Sequence, residues 1–416
     1  MLKGKNVILG VTGSIAAYKA AYLASSLKKL SCNVDVIMTA NAANFINPIT
    51  FETLTGNKCL TDTFDRNFQY NVEHVSLAKK ADLIIVAPAS ANFIGKAANG
   101  IADDMLTTTF MACDGAKCKK LVSPAMNTNM YNNPIVKDNM KKLEDYGVEV
   151  IKPACGYLAC GDTGDGKMPE PENLLSYILR ELEFEKDMKG LKVVVTAGPT
   201  QEAIDPVRFI SNHSTGKMGY AIARNAMLRG ADVTLISGKT QLSEVPFVNM
   251  VNVCSAQEMY EAVMKYSETA DIIVKAAAVA DYTPKEVSSQ KIKKKDSDMS
   301  IELKRTNDII GTLGANKKKG QFICGFSMET QNMLENSKAK LAKKNLDMIV
   351  ANNLKVQGAG FGTDTNIVTI ITNDECIPLD KMSKDEVASK LFDVILNKIT
   401  VSKGLEPTCA CTIVGE

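Results

Sequence analysis

Two stretches of the chain carry the same alternation of apolar runs and glycine-bearing loops. In the middle, Leu191–Thr196 is an apolar, valine-rich run of strand length that ends at a Gly198-Pro199 turn. After an extended polar loop, Ser214-Thr215-Gly216-Lys217-Met218-Gly219 opens a helix whose apolar positions Met218, Ile222, Ala226 and Met227 recur at helical spacing. Gly230 stops that helix, and Asp232–Ser237 reads as the next strand. Near the amino terminus the plan is the same. Asn6–Gly10 reads as a strand, Thr12-Gly13-Ser14 as a tight turn, Ile15–Leu30 as a helix and Val34–Thr39 as a strand. Strand, glycine-bearing loop and helix N-terminus are the parts of a phosphate- or nucleotide-binding βαβ unit. The chain starts an α/β fold twice.

In the first half, Asn41–Phe51 reads as a helix, and Asp82–Ala87, Leu121–Pro124 and Val148–Ile151 as strands. Gly13, Ser14, Thr39, Ser90, Asn92 and Asn127 then fall at successive strand ends and line one rim, which suits a phosphate and a flat heteroaromatic ring. The absence of GxGxxG speaks against a nicotinamide dinucleotide. Asn173–Lys189 reads as the last helix of the first domain. This gives domains at 1–190 and 191–402, with 403–416 as an unassigned tail. In the second half, Ala270–Ala277, Gln321–Phe326, Asp347–Ala351 and Ile367–Ile371 read as strands.

Composition narrows the class. A chain of 416 residues exceeds one ordinary domain, and 45% hydrophobic with 23% charged residues is a soluble globular composition. A net charge of +2 gives no reason to invoke nucleic acid or an anionic membrane. Lys3 and Lys5 precede an apolar run that Thr12-Gly13-Ser14 interrupts, so a signal peptide is rejected, and no stretch is long and apolar enough to span a bilayer. The 11 cysteines are scattered without a CxxC pair, a pattern of reduced thiols, and a cytoplasmic protein is expected. Lysines cluster at 291–295 and 317–319, where a solvated face is the ordinary reading. Lys340 and Lys344 stand at i, i+4 on a helix and can clamp a polyphosphate from one side.

The chain has two histidines, His74 and His213, each in a polar loop stretch. His74 is a surface residue at a helix start or a proton-transfer group, and Asn127 a helix cap or a catalytic amide. Four glycines between Gly156 and Gly166 exclude a strand or helix interior and predict a mobile loop. Cys160, within that loop, is better explained by chemistry than by packing.

Gly13-Ser14-Ile15-Ala16-Ala17-Tyr18-Lys19, His74-Val75-Ser76-Leu77, Pro124-Ala125-Met126-Asn127 and Ala159-Cys160-Gly161-Asp162 with Lys167-Met168 together resemble the phosphopantothenoylcysteine decarboxylases, which belong to the flavin-binding, homo-oligomeric cysteine decarboxylases. Lys167 stands where an arginine is common, keeping the charge and losing the bidentate fork. The resemblance implies FMN held by Gly13, Ser14, Ile15, Thr39, Ser90 and Asn92. It also implies that His74 assists oxidation and decarboxylation, Asn127 binds the substrate carboxylate, and Cys160 supplies the last proton.

The second half resembles the phosphopantothenate–cysteine ligases of the bacterial, CTP-using kind fused behind the decarboxylase. Asp205–Gly219, Ala276–Asp281, Lys291-Ile292-Lys293-Lys294 and Gly325-Phe326 with Glu329-Thr330 carry it. It implies that Asn212 acts on an acyl-cytidylate, that Asp281 reaches Mg2+ or the cytidine, and that Lys291 serves the cysteine-dependent step and contacts CTP. Asn307, Asp308, Ile309, Ile310, Phe326, Lys340 and Lys344 complete the implied CTP contacts, with asparagine at 307 where proline is common. The substrates implied are 4′-phosphopantothenate, cysteine and CTP. Trimeric contacts are implied for the first half and dimeric contacts for the second. The fold expected is two consecutive Rossmann-like, doubly wound α/β domains, the first flavodoxin-like. The alternative reading is a flavoprotein of the same fold acting as a non-enzymatic interaction protein.

Overall fold

The computed structural model describes residues 2–63, 73–157, 161, 163–294, 299–329, 332–353 and 362–402. The chain divides into two compact units, Met1–Phe184 and Glu185–Glu416. The break falls just ahead of Gly190 because residues 185–190 pack with the second unit: Asp187 accepts from Arg229 Nε at 2.9 Å, and Met188 is fully buried.

The first unit is built on β1 (Asn6–Val11), β2 (Asn33–Met38), β3 (Leu83–Ala89), β4 (Lys119–Pro124) and β5 (Glu149–Val150). These form a parallel sheet in the order β2-β1-β3-β4-β5. Its helices are α1 (Ala17–Lys29), α2 (Pro48–Thr55), α3 (Glu73–Lys80), α4 (Ala91–Ala98), α5 (Met105–Ala112), α6 (Thr128–Asn132), α7 (Pro134–Asp145) and α8 (Pro171–Leu182). Both sheet faces are covered, which is why the strands read as near-continuous apolar runs. Val7, Leu9 and Val11 pack with Leu23 and Leu27 of α1 and Leu174 and Ile178 of α8. Ile8, one residue out of phase, packs on the opposite face with Phe93 of α4 and Phe110 of α5, whose rings meet edge-on at 5.3 Å.

Three elements differ from the sequence reading, each for a local reason. The helix expected over 41–51 is a 3-10 turn at Ala42–Asn44 followed by α2, because Pro48 cannot continue a helix and Asn47, extended, caps a new one by accepting from the Ile49 N–H at 3.1 Å. His74 sits in the first turn of α3 rather than in a loop. The glycine-rich stretch is a ribbon, with β6 (Ala154–Tyr157) antiparallel to β7 (Thr163–Lys167). Its glycines admit close approach: at Gly166, with φ +118°, a Cβ would lie 2.3 Å from the Met126 carbonyl oxygen.

The second unit is an eight-stranded sheet of β8 (Lys192–Ala197), β11 (Asp232–Ser237), β12 (Asn249–Asn252), β13 (Ile272–Lys275), β16 (Phe322–Glu329), β17 (Met348–Asn353), β19 (Val368–Thr372) and β20 (Cys376–Pro378). Its order is β12-β11-β8-β13-β16-β17-β19-β20, with every neighbouring pair parallel except the two that β19 makes, to β17 and to β20. Short two-stranded pieces project from it: β9 (Glu202–Ala203) with β10 (Phe209–Ile210), β14 (Tyr282–Pro284) with β15 (Leu303–Arg305), and β18 (Thr365–Asn366) with β21 (Met382–Ser383). The helices are α9 (Lys217–Leu228), α10 (Ala256–Ser267), α11 (Ile309–Ala315), α12 (Met333–Lys343) and α13 (Lys384–Ser402). Both sheets reverse strand order, between β1 and β3 and between β8 and β13. In open α/β sheets ligands settle at the carboxyl ends beside such a reversal. Among the described residues no helix is long and apolar enough to cross a membrane.

Candidate functional sites

In the first unit a cavity of about 610 Å³ opens at the carboxyl ends of β1, β3 and β4. Thr12 draws two of these ends together: its Oγ1 donates to the Pro88 carbonyl at 2.8 Å and accepts from the Ser90 N–H at 2.9 Å. Gly13 must be glycine, since a Cβ there would lie 2.8 Å from Asn41 Cβ. Ser14 lies in the turn that leads into α1, its carbonyl accepting from Ala17 N–H at 3.0 Å. Ser90 Oγ caps α4, and Asn127 caps α6 by accepting from the Asn129 N–H at 2.8 Å. Across the cavity, Met126 N–H donates to Gly166 C=O at 3.1 Å and anchors the β6–β7 ribbon against the turn that carries Asn127.

Gly13, Ser14, Ile15, Ser90 and Asn127 therefore line one cavity, together with Lys167. Thr39, at the end of β2, donates its N–H to Val11 C=O at 3.0 Å, and Asn92 is exposed on α4; neither is part of the wall, and nor is His74. Cys160 lies outside the described residues. Sequence reasoning missed Lys19, which also lines the cavity. Its Nζ donates to Met168 C=O at 3.1 Å and pairs with Glu170 at 2.8 Å. The available signal was a lysine among the apolar residues of the buried face of α1. A glycine-serine turn at a helix N-terminus beside an apolar wall of Ile15, Met126 and Met168 fits a phosphate joined to a flat ring, as FMN requires.

In the second unit a cavity of about 410 Å³ lies at the carboxyl end of β13. Asp308 caps α11, accepting from the Gly311 N–H at 2.9 Å, and forms an ion pair with Lys344 at the end of α12. Burial pushes the Asp308 carboxyl up, but the Lys344 hydrogen bond, the Gly311 N–H and the charges of Lys344 and Lys275 together bring it below the usual carboxylate value. Asn307 donates to Gln257 Oε1 at 2.9 Å. Asp281, Asn307, Asp308, Ile309, Ile310, Lys340 and Lys344 all line this cavity.

Phe326, Asn212 and Lys291 do not line it. Phe326 is half-buried in β16. Asn212 donates to Ala278 C=O at 2.6 Å, beside the Val279–Tyr282 wall, and accepts from the Ser214 N–H at 3.2 Å. Lys291 is exposed, and its neighbour Ile292 is tied to the Asp205 carboxylate at 3.1 Å. Two cations of the wall, Lys275 and Arg305, were missed in the sequence. Lys275 was signalled by a lysine ending the apolar run Ile272-Ile273-Val274. Burial pushes its ammonium down to about 8, Lys340 adds to the effect, and Asp281 and Asp308 oppose it. Among the described residues no three His, Cys, Asp or Glu side chains converge as a metal site.

Residues 1–183 match the family described as Flavoprotein, and residues 188–399 match the DNA/pantothenate metabolism flavoprotein C-terminal domain. The coenzyme A biosynthesis bifunctional protein CoaBC of Bacillus subtilis is 49% identical over 401 residues, covering 95% of this chain and 97% of that protein. The protein of the same name from Haemophilus influenzae is 42% identical over 397 residues, covering 95% and 98%. A crystal structure of the C-terminal domain of a CoaBC protein, 43% identical, covers 52% of this chain and 100% of its own, with a TM-score of 0.45. The chain belongs to the CoaBC family of coenzyme A biosynthesis bifunctional proteins.

Proposed function

We propose that the second unit joins 4′-phosphopantothenate to cysteine at the expense of CTP, and that the first unit decarboxylates the product to 4′-phosphopantetheine with FMN. The observation that carries this reading is the pairing, in one chain of this family, of a glycine-serine cavity with a separate cavity walled by four cations and two carboxylates. A carboxylate and an amine do not condense in water unactivated. Transfer of CMP onto the carboxyl, with pyrophosphate leaving, makes a mixed anhydride that the cysteine amine attacks. Lys340 and Lys344 hold the triphosphate, Asp281 would hold Mg2+ or reach the cytidine, Asn212 donates to the acyl-cytidylate, and Lys291 serves the attack by cysteine. Phe326 and Asn307–Ile310 complete the nucleotide contacts.

In the first unit Gly13, Ser14 and Ile15, at the head of α1, hold the FMN phosphate, with Thr39, Ser90 and Asn92 at the neighbouring strand ends. FMN, when bound, supplies reversible two-electron oxidation of the thiol-bearing carbon, without which loss of CO2 would leave an unstabilised carbanion. Asn127 orients the substrate carboxylate by hydrogen bonding. Cys160 returns the final proton, a role open to a thiol because a free one, titrating near ~8.5, is mostly protonated at neutral pH. His74 reaches the flavin cavity of a second copy, in keeping with a resemblance that implies a site formed between protomers. Supporting a second copy, Ile15, Tyr18 and Tyr22 of the α1 region and Phe45 and Ile49 are large and exposed. Phe209, Tyr282 and Leu303, exposed on the projecting strands of the second unit, and Val207 in the loop between β9 and β10 support pairing there. Trimeric contacts in one unit and dimeric contacts in the other require a closed assembly larger than either. The free thiols of the described cysteines support a reducing compartment, the cytoplasm.

The test supplies purified protein with 4′-phosphopantothenate, cysteine and CTP, and follows pyrophosphate, CO2 and the absorbance spectrum. A flavin spectrum and CO2 release that depends on CTP are expected. A colourless protein, or one that consumes ATP and ignores CTP, overturns the corresponding half. Lys291→Gln should form the acyl-cytidylate and accumulate it because its conversion by cysteine is impaired, whereas Asn212→Asp should disturb the intermediate itself.

A further inference from the structure

Lys275 ends β13, where parallel pairing to Thr196 on one side and Gly325 on the other fixes its backbone. The side chain lines the nucleotide cavity, and its Nζ makes no hydrogen bond or ion pair among the described residues. The charged groups around it are Lys340 of α12 and Lys344 at its C-cap, Asp308 at the head of α11, Asp281 in the loop after β13, and Arg305 of β15. Asp308 already serves Lys344, so it is not a dedicated counter-ion for Lys275. A partly buried amine with a like charge beside it and no anion of its own is an incomplete site.

Building on the nucleotide reading above, we propose that Lys275 is a phosphate-binding residue of this cavity, that a polyphosphate is its missing counter-ion, and that nucleotide binding is accompanied by proton uptake at its Nζ. The proton comes from solvent or buffer: a neutral amine becomes an ammonium as phosphate oxygens arrive and restore the charged form. This reaction is visible only where a good fraction of the amine is neutral beforehand, which its depressed pKa places above about 8. At that pH the terminal phosphate of the nucleotide is fully ionised and does not obscure the count. The result is nucleotide affinity that falls as pH rises through this range.

Titration calorimetry of the full-length protein with CTP and magnesium, at about pH 8.5 in two buffers of different ionisation enthalpy, tests this. Wild type takes up a substantial fraction of a proton per CTP. Lys275→Arg, which stays charged, keeps affinity within about three-fold and takes up none. Lys275→Met takes up none and binds about 10- to 100-fold more weakly, the loss of one charge-assisted hydrogen bond. Unchanged uptake in Lys275→Arg, or wild-type affinity in Lys275→Met, overturns the assignment. If wild type binds ATP in place of CTP, the nucleotide assignment falls and the same measurement with ATP decides Lys275. If it binds neither, both readings fall.

Discussion

The Nζ of Lys19, on the first helix, lies 2.8 Å from Oε1 of Glu170, the residue that precedes the last helix of the first unit. The lysine side chain is 6% exposed and the glutamate 56%, so the buried charge depends on a partner that reaches in from the surface. The hydrogen bond and charge of Lys19 hold the Glu170 carboxyl below its usual value. Glu170→Gln should therefore leave an under-compensated ammonium and lower the stability of the first unit by about 1–2 kcal/mol. The double change Lys19→Met with Glu170→Gln should recover most of it. Because the folded pKa of Glu170 is depressed, the stabilisation is present above its unfolded value of about 4.3 and is lost as pH falls through the lower folded value. Urea unfolding of single and double variants followed by circular dichroism at several pH values checks this.

Gly166→Ala should detach the ribbon from the Asn127 turn. The added carbon has no room beside the Met126 carbonyl, and the backbone angle resists a side chain. CO2 release should fall at least about ten-fold while CTP-dependent pyrophosphate release by the same molecule stays at its wild-type rate. An equal loss of both activities would mean the change unfolds the chain rather than moving the ribbon.

Asp205 ties down the segment beside Lys291. Its carboxylate, with a fully buried side chain, accepts from the Val207 and Arg208 N–H groups at 2.8 Å each, from the Arg208 guanidinium, and from Ile292 N–H at 3.1 Å. Arg208 first, aided by the backbone donors, holds this carboxyl well below the usual range. Its contribution is present above about pH 4 and lost only as pH falls toward the folded value, so wild type should resist acid unfolding better than Asp205→Asn. In the variant the acyl-cytidylate should form normally while its consumption by cysteine slows about ten-fold or more. Mass spectrometry before and after cysteine addition separates the two steps.

Asp308→Asn should retain the helix cap, since asparagine caps as well as aspartate, while removing the charge beside Lys344. Pyrophosphate should then inhibit the nucleotide reaction about ten-fold more strongly, with little change in thermal stability. Inhibition constants measured against CTP decide it.

The parallel strands were legible because both faces of each are buried: Asp232–Ser237 has the same limits in sequence and structure, and Leu191–Thr196 is displaced by one residue. Strand-end residues such as Gly13, Ser90 and Asn127 were legible for the same reason, since a strand's end fixes where its loop lies. The ribbon was not, because its glycines answer to Met126 and Thr128, more than thirty residues away in sequence, and local pattern contains no trace of them. Lys19 and Lys275 escaped notice because each sits in an apolar run whose period was already explained. Only the fold shows that these lysines open into cavities rather than into solvent.

The pairing of Asp308 with Lys344 has a consequence for leaving as well as for arriving. A pocket made only of cations would grip every polyanion, and pyrophosphate above all, since it keeps much of the charge of the triphosphate it came from. Under the proposed reaction the departing group would hand Lys344 back to a carboxylate already held in place by the α11 cap. Exchange of one anion for another would then replace the exposure of a bare ammonium, and under that reaction the barrier to emptying the pocket would be lowered where a tight binder stalls turnover.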